Sequence, residues 1–82
     1  MTLFEHELAA IVAEIAEIDM DLISLDATLK EIGVDSLMSV EIAVWVEQRW
    51  GVHFSVDDLN AMLCFRDLVQ LTEQKLQPVE VV

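Results

Sequence analysis

The stretch of this chain best able to carry chemistry is Gly33-Val34-Asp35-Ser36-Leu37. A loop that ends at Gly33 leads into a helix that Asp35 can cap, so Ser36 falls in the first helical turn. The free N–H groups and the positive end of the helix dipole at such a turn favour a phosphate group attached to the hydroxyl. Asp35 and Ser36 taken alone more often mark an ordinary helix start, so the pair does not by itself assign a function.

The remaining reactive side chains form no catalytic set. His6 and His53 are the only histidines, so neither a histidine metal site nor a Ser-His-Asp arrangement can be assembled. We expect His6 on a solvated helix face and His53 beside the core in a link. Cys64 has no base near it in the sequence, so we expect a half-buried packing residue rather than a nucleophile. The sequence therefore predicts no catalytic residues, no metal site and no enzymatic activity.

Composition limits the partners. The chain has 82 residues, of which 16 are acidic and 4 basic, for a net charge of −12. It is repelled by nucleic acid and by anionic membranes, so we expect neither as a partner and look instead for basic protein surfaces. No signal peptide is visible and no apolar run reaches the roughly 18 residues of a membrane span, which favours a cytoplasmic protein. We also expect a monomer.

Hydrophobic spacing and capping residues predict an all-α fold, a bundle of three longer helices and one short one. The predicted helices cover residues 3–18, 36–50, 56–62 and 65–77, with Pro78 ending the last. The N-terminal caps are Thr2, Asp35 and Ser55, the last in a capping box with Asp58, and Gly51 follows the second helix.

The first loop, residues 19–35, is long for so small a domain, and such loops are usually functional. Its regularly spaced apolar residues should pin it to the core: Ile23, Leu25, Leu29 and Ile32. The core-facing residues predicted on the second helix are Ser39, Ile42, Ala43, Val46 and Trp50. Those predicted on the last helix are Leu68, Val69, Leu71, Thr72 and Leu76.

The wider pattern resembles the attachment motif of acyl carrier proteins: Leu29-x-x-Ile32-Gly33-x-Asp35-Ser36-Leu37, then Val40-Glu41. The helices, the long loop and a final Arg66-Asp67-Leu68 fall in the order of that family, over about residues 5–77. The resemblance implies an acyl-carrier-like four-helix bundle, with residues 1–78 as a single carrier domain and 79–82 as a frayed tail. The initial Met and the length suggest a freestanding carrier, with an excised domain as the alternative.

The same resemblance implies a covalent cofactor. A phosphopantetheinyl transferase would move 4′-phosphopantetheine from coenzyme A onto Ser36, and the arm's thiol would hold acyl groups as thioesters. Asp35 would help the transferase engage the site through the metal ion that accompanies coenzyme A. Leu37 would be the apolar anchor beside the arm, with simple core packing as its alternative.

The implied partners are ketosynthase, acyltransferase and other acyl-processing enzymes, which would bind the start of the second helix and the preceding loop. The candidate partner-binding residues are Met38, Val40, Glu41, Val44, Trp45 and Glu47. Glu41 and Glu47 could instead belong to an ordinary solvated face. Trp45 is an anchor if it is exposed and a packing residue if it folds against the first loop.

The motif looks more like polyketide synthase carriers than fatty-acid carriers, and it lacks the Gly-Gly usual in peptidyl carriers. Fatty-acid and peptidyl carriers remain alternatives. So does a non-carrier acidic helical adaptor that binds partners through the second helix with Ser36 unmodified. Cys64-Phe65 departs from the Thr-containing start usual for the last helix, which predicts a ragged beginning there.

Overall fold

The computed structural model describes residues 1–76, and within them the chain forms four α-helices and no β-strand. The helices are α1 (Leu3–Ala16), α2 (Ser36–Trp50), α3 (Val56–Ala61) and α4 (Phe65–Leu76), with a short 3-10 helix at Met20–Leu22 in the first loop. The predicted all-α bundle of three longer helices and one short helix is confirmed. The predicted end of the last helix at Gln77 and Pro78, and the predicted tail 79–82, lie outside the described residues.

α1 begins as its sequence indicates. Thr2 Oγ1 accepts a hydrogen bond from the Glu5 N–H at 3.1 Å, and Glu5 Oε1 accepts one from the Thr2 N–H at 2.6 Å. This second bond lowers the pKa of the Glu5 carboxyl. The helix ends at Ala16 rather than at the predicted Ile18, because Glu17 adopts a left-handed conformation with φ of 57°. No glycine marks this end, so the usual sequence signal for it is missing.

The core lies between α1, α2 and α4. Its fully buried large side chains are Leu8, Val12, Val46, Phe65, Leu68 and Thr72. Of the core residues predicted on α2, Ile42, Ala43 and Val46 are buried, whereas Ser39 and Trp50 are half-buried. On α4 the prediction for Leu76 is wrong. Its side chain is 38% exposed at the end of the described helix.

The first loop is pinned to the core as predicted. Ile23, Leu29 and Ile32 are buried and Leu25 is half-buried. The loop also makes backbone hydrogen bonds with the segment that leads into α4. The Leu29 N–H donates to the Leu63 carbonyl at 3.0 Å, and an isolated antiparallel bridge pairs Thr28 with Cys64. The loop is therefore a fixed part of the fold.

The start of α4 corrects a prediction. The helix does not begin raggedly, because Asp67 does the capping that Cys64 cannot. The Asp67 carboxylate accepts from the N–H groups of Leu63 at 2.9 Å and Cys64 at 3.1 Å. The next two N–H groups, of Phe65 and Arg66, donate to carbonyls of the first loop.

Candidate functional site

Ser36 is the first residue of α2 and is exposed. Asp35 caps the helix, with Oδ1 accepting from the Met38 N–H at 2.8 Å. The Ser39 hydroxyl donates to the Asp35 carbonyl at 3.1 Å, which adds a second contact across the first turn. The N–H groups of Ser36 and Leu37 make no hydrogen bond within the part of the chain that the structure describes. The first turn thus presents a hydroxyl and two free donors to solvent.

The loop before Ser36 is held in place by a tight turn. The Gly33 N–H donates to the Lys30 carbonyl at 3.1 Å, and the Val34 N–H donates to the Leu29 carbonyl at 2.8 Å. Gly33 has a φ of 87°, a conformation that side-chain-bearing residues rarely adopt. Val34 is buried directly after it, which turns Asp35 and Ser36 to the surface.

A cleft of about 410 Å³ opens beside Ser36, between the loop, α2 and the region of α3. Its apolar walls include Val40 from α2 and Val56, Leu59 and Leu63 from α3 and its flanks. Val56 and Leu63 are each 72% exposed. The sequence pattern alone did not predict that these two residues line this cleft. The signal for them was the presence of large apolar residues at both ends of so short a helix.

The candidate partner-binding residues do not form one continuous surface. Leu37, Val40 and Val44 are all exposed and recur at helical spacing, so they form one apolar strip along the solvent face of α2. Leu37 is 69% exposed, which excludes simple core packing as its role. Glu41 is exposed on the same helix, whereas Met38 is half-buried against the core.

Trp45 does not fold against the first loop. Its side chain is 43% exposed, and it lines a different cleft together with Ala10, Ile11 and Glu14 of α1. Trp45 therefore lies on the α1–α2 face and does not line the cleft beside Ser36.

Glu47 is held by the link that follows α2. One carboxylate oxygen accepts from the Phe54 N–H at 2.7 Å and lies 3.1 Å from Nδ1 of His53. His53 is more exposed than expected for a residue beside the core. The carboxylate of Glu47 is thus engaged within the chain, three turns along the helix from Ser36.

His6 and Cys64 do not line the cleft beside Ser36. His6 is exposed on α1, and Cys64 is half-buried as predicted. Across residues 1–76, no three His, Cys, Asp or Glu side chains are grouped so that they could hold a metal ion. None of the described helices is long and apolar enough to cross a membrane.

The matched residues identify the family of this chain. Residues 6–72 match the family model described as the phosphopantetheine attachment site. The chain belongs to the acyl carrier protein family. Members of this family bind 4′-phosphopantetheine covalently, and the site at Ser36 fits that group. An exposed hydroxyl and two free N–H groups can accommodate a phosphodiester, and the apolar cleft beside them has room for part of an arm.

Individual relatives agree with the family. The chain is 36% identical over 58 residues to the highly reducing polyketide synthase pspA of Penicillium soppii, which covers 71% of this chain and 2% of that protein. It is 29% identical over 73 residues to polyketide-8 synthase acyl carrier protein 2 of Streptomyces avermitilis, covering 88% of this chain and 84% of that one. This carrier therefore spans a very small part of the first relative and most of the second.

Solved structures show the same fold. An acyl carrier protein from Thermotoga maritima superposes with a TM-score of 0.78 at 21% identity, covering 95% of this chain and 96% of that one. A mupirocin didomain acyl carrier protein superposes with a TM-score of 0.79 at 16% identity, covering 96% and 43%. At these identities the likeness concerns the bundle alone.

Proposed function

We propose that this chain carries acyl intermediates of polyketide synthesis, with Ser36 as the residue that bears 4′-phosphopantetheine. The observation that supports Ser36 most is its place: an exposed hydroxyl at the free N-terminal turn of α2, beside an apolar cleft and inside the matched residues 6–72. The polyketide assignment draws on the two polyketide synthase relatives and on the motif that follows Ser36.

In the loading reaction Ser36 Oγ loses its proton and forms a bond to the phosphorus next to the pantetheine in coenzyme A. The P–O bond to the other phosphate breaks, and adenosine 3′,5′-bisphosphate leaves. Asp35 holds the first turn of α2 in shape through the Met38 N–H, so the hydroxyl stays at the surface where a transferase reaches it. The new phosphodiester lies next to the free N–H groups of Ser36 and Leu37.

The arm then carries the thioester, and the protein supplies no acid, base or nucleophile to the acyl chemistry. The carrier's contribution is a high effective concentration of the intermediate at each partner's active site. The partners are a phosphopantetheinyl transferase, a ketosynthase, an acyltransferase and other acyl-processing enzymes, which act on a monomeric carrier.

The docking surface combines the apolar strip on α2, formed by Leu37, Val40 and Val44, with Glu41 beside it. Val56 and Leu63 extend it across the cleft, and both are largely exposed. Desolvation of these side chains supplies binding energy, and Glu41 favours a basic surface on the partner. The proposed surface does not include Glu47, because its carboxylate accepts a hydrogen bond from the Phe54 N–H.

Intact mass tests the attachment residue. The purified protein is incubated with coenzyme A, magnesium and a broad-specificity phosphopantetheinyl transferase. We expect one phosphopantetheine to be added to the wild type and none to Ser36→Ala. Ser39→Ala is the matched control, since Ser39 is one turn away on the same helix, and it should be loaded.

A mass gain that persists in Ser36→Ala would contradict the assignment of Ser36. A folded wild type that no transferase loads would favour the acidic adaptor, in which Ser36 stays unmodified. For the class of carrier, the thiol of the loaded protein is charged with a malonyl group, and the malonyl carrier is offered to acylated ketosynthases of polyketide and of fatty-acid synthesis. Faster condensation with the fatty-acid enzyme would overturn the polyketide assignment.

A further inference from the structure

The basic residues of this acidic chain are almost all engaged. Arg49 pairs with Glu7 at 3.2 Å, Arg66 with Asp26 at 2.9 Å, and Lys75 with Asp58 at 2.9 Å. Lys30 is the exception, because it forms no ion pair anywhere in residues 1–76. A free cation is unusual in a chain with a net charge of −12, where carboxylates compete for every basic group.

Lys30 lies at the mouth of the attachment site. It lines the same cleft as Ser36, and the only other charged residue of that lining is Asp35. Its backbone is fixed, since its carbonyl accepts from the Gly33 N–H and the neighbouring Leu29 N–H donates to the Leu63 carbonyl. The ammonium group is exposed at the end of a flexible stem, so only its root is positioned by the fold.

The nearest carboxylates in the sequence are turned to other donors. Glu31 Oε1 accepts from the Thr28 hydroxyl at 2.7 Å and from the Thr28 N–H at 3.4 Å. Asp35 accepts from the Met38 N–H at the helix start. These contacts leave the Lys30 ammonium available to an anion that arrives later.

We propose that Lys30 binds the phosphodiester on Ser36 and so holds the root of the arm along the cleft between α2 and α3. This inference rests on the proposed attachment at Ser36. The phosphodiester adds one negative charge beside Asp35, and the Lys30 ammonium offsets that repulsion. The arm is thereby directed toward Val40 and Leu63, the apolar walls of the cleft, and away from open solvent.

The experiment compares apo and loaded protein by NMR. Each variant is converted to the loaded form and its mass confirmed. Backbone amide shifts of the cleft residues and the phosphorus shift of the phosphodiester are then recorded at low and high salt. In the wild type we expect loading to shift the amides of Val40 and Leu63, and high salt to reverse part of that shift by screening.

Lys30→Gln should reduce the fraction of molecules in which the arm lies along the cleft. The reduction should be up to about fivefold, which is the range of an exposed ion pair. It should also remove most of the salt dependence of the phosphorus shift. Lys30→Arg should restore both. Arg49→Gln is the charge-matched control, since it removes one positive charge about 20 Å along α2 from Ser36, and it should behave as the wild type.

Equal amide and phosphorus shifts in the wild type and Lys30→Gln would overturn the inference while the attachment at Ser36 stands. An equal loss in Arg49→Gln would also overturn it, since net charge alone would then explain the effect. Failure of the wild type to gain mass would instead contradict the proposed attachment, so the two ideas are tested separately.

Discussion

The starts of α2 and α4 show how one kind of helix end serves two purposes. Each follows a loop and has an aspartate that accepts from backbone N–H groups, Asp35 in α2 and Asp67 in α4. At α4 the first donors are all used, because Asp67 and two carbonyls of the first loop take them. At α2 the donors of Ser36 and Leu37 remain free within the described chain. A helix start with its donors satisfied is structural, whereas one with free donors can accept a phosphate.

Burial distinguishes the two starts in the same way. Phe65, the first residue of α4, is 0% exposed, and Leu37, the second residue of α2, is 69% exposed. The apolar side chain at α4 therefore contributes to folding. The one at α2 is exposed to solvent, and we propose it as part of the docking surface.

The largest expected effect comes from truncating these two side chains. Phe65→Ala should lower the free energy of unfolding by about 3–5 kcal/mol, because it leaves a cavity in the core. Leu37→Ala should change it by less than about 0.5 kcal/mol, yet it should weaken binding to the transferase or ketosynthase. Urea unfolding and a binding titration measure the two quantities. Similar losses of unfolding free energy in both variants would contradict the proposed difference between the starts of α2 and α4.

Replacing either capping aspartate should have the next largest effect on stability. Asp67→Ala should cost about 1–2 kcal/mol, since it removes the acceptor of two N–H groups, and it should leave loading intact. Asp35→Ala should cost about 1 kcal/mol and should also slow phosphopantetheine transfer, because the first turn of α2 loses its cap. The measurements are thermal unfolding and loading rate for each variant. A loading defect in Asp67→Ala equal to that in Asp35→Ala would remove the functional distinction between the two starts.

Acid should lower the stability of the protein by protonating the carboxylates that accept hydrogen bonds from backbone N–H groups. The N–H groups of Leu63 and Cys64 lower the pKa of Asp67, and the N–H of Ser55 with the ammonium of Lys75 lowers the pKa of Asp58. A carboxyl whose pKa is lower in the folded state stabilises the protein above its ordinary pKa. That stability is lost as the pH falls through the folded value.

We therefore expect the melting temperature to fall as the pH drops below about 4, with a shallower fall in Asp67→Asn. Glu73→Gln, on the exposed face of the same helix, is the control and should keep the wild-type slope. Identical slopes for the wild type and Asp67→Asn would show that the cap of α4 does not contribute to acid stability.

The smallest of these expected effects is that of salt on the melting temperature. Residues 1–35, which lead to the start of α2, contain nine acidic residues and one basic residue, so repulsion opposes their compact packing. Moderate salt or divalent cations should raise the melting temperature by screening or binding these charges. A melting curve that is insensitive to both would show that the ion pairs and the buried loop residues already offset the repulsion.

Much of the fold could be predicted because its boundaries are set by neighbours in the sequence. The capping box at Thr2, the cap at Asp35 and the left-handed Gly51 each act within about one helical turn. The predicted bounds of α2, residues 36–50, agree with the structure for this reason. The motif that contains Ser36 was visible in the same way.

The errors concern positions where the local sequence gives no signal or a misleading one. Glu17 ends α1 in a left-handed conformation although no glycine marks the position. Periodicity predicts Leu76 inside the core, but it lies at the end of the described helix and is 38% exposed. Cys64 is a weak cap, which predicts a ragged start for α4. The N–H groups there are instead bonded to Asp67 and to carbonyls of the first loop.

Local sequence specifies the number of helices, the bounds of α2, the cap at Asp35 and the position of Ser36 in the first turn, because these depend on contacts within a few residues. The packing of the helices places Val56 and Leu63 in the same cleft as Ser36 and binds Glu47 to the link at Phe54. It also leaves Lys30 without an ion pair within residues 1–76. These outcomes depend on which side chains meet after the helices pack, and helical spacing alone does not specify those contacts.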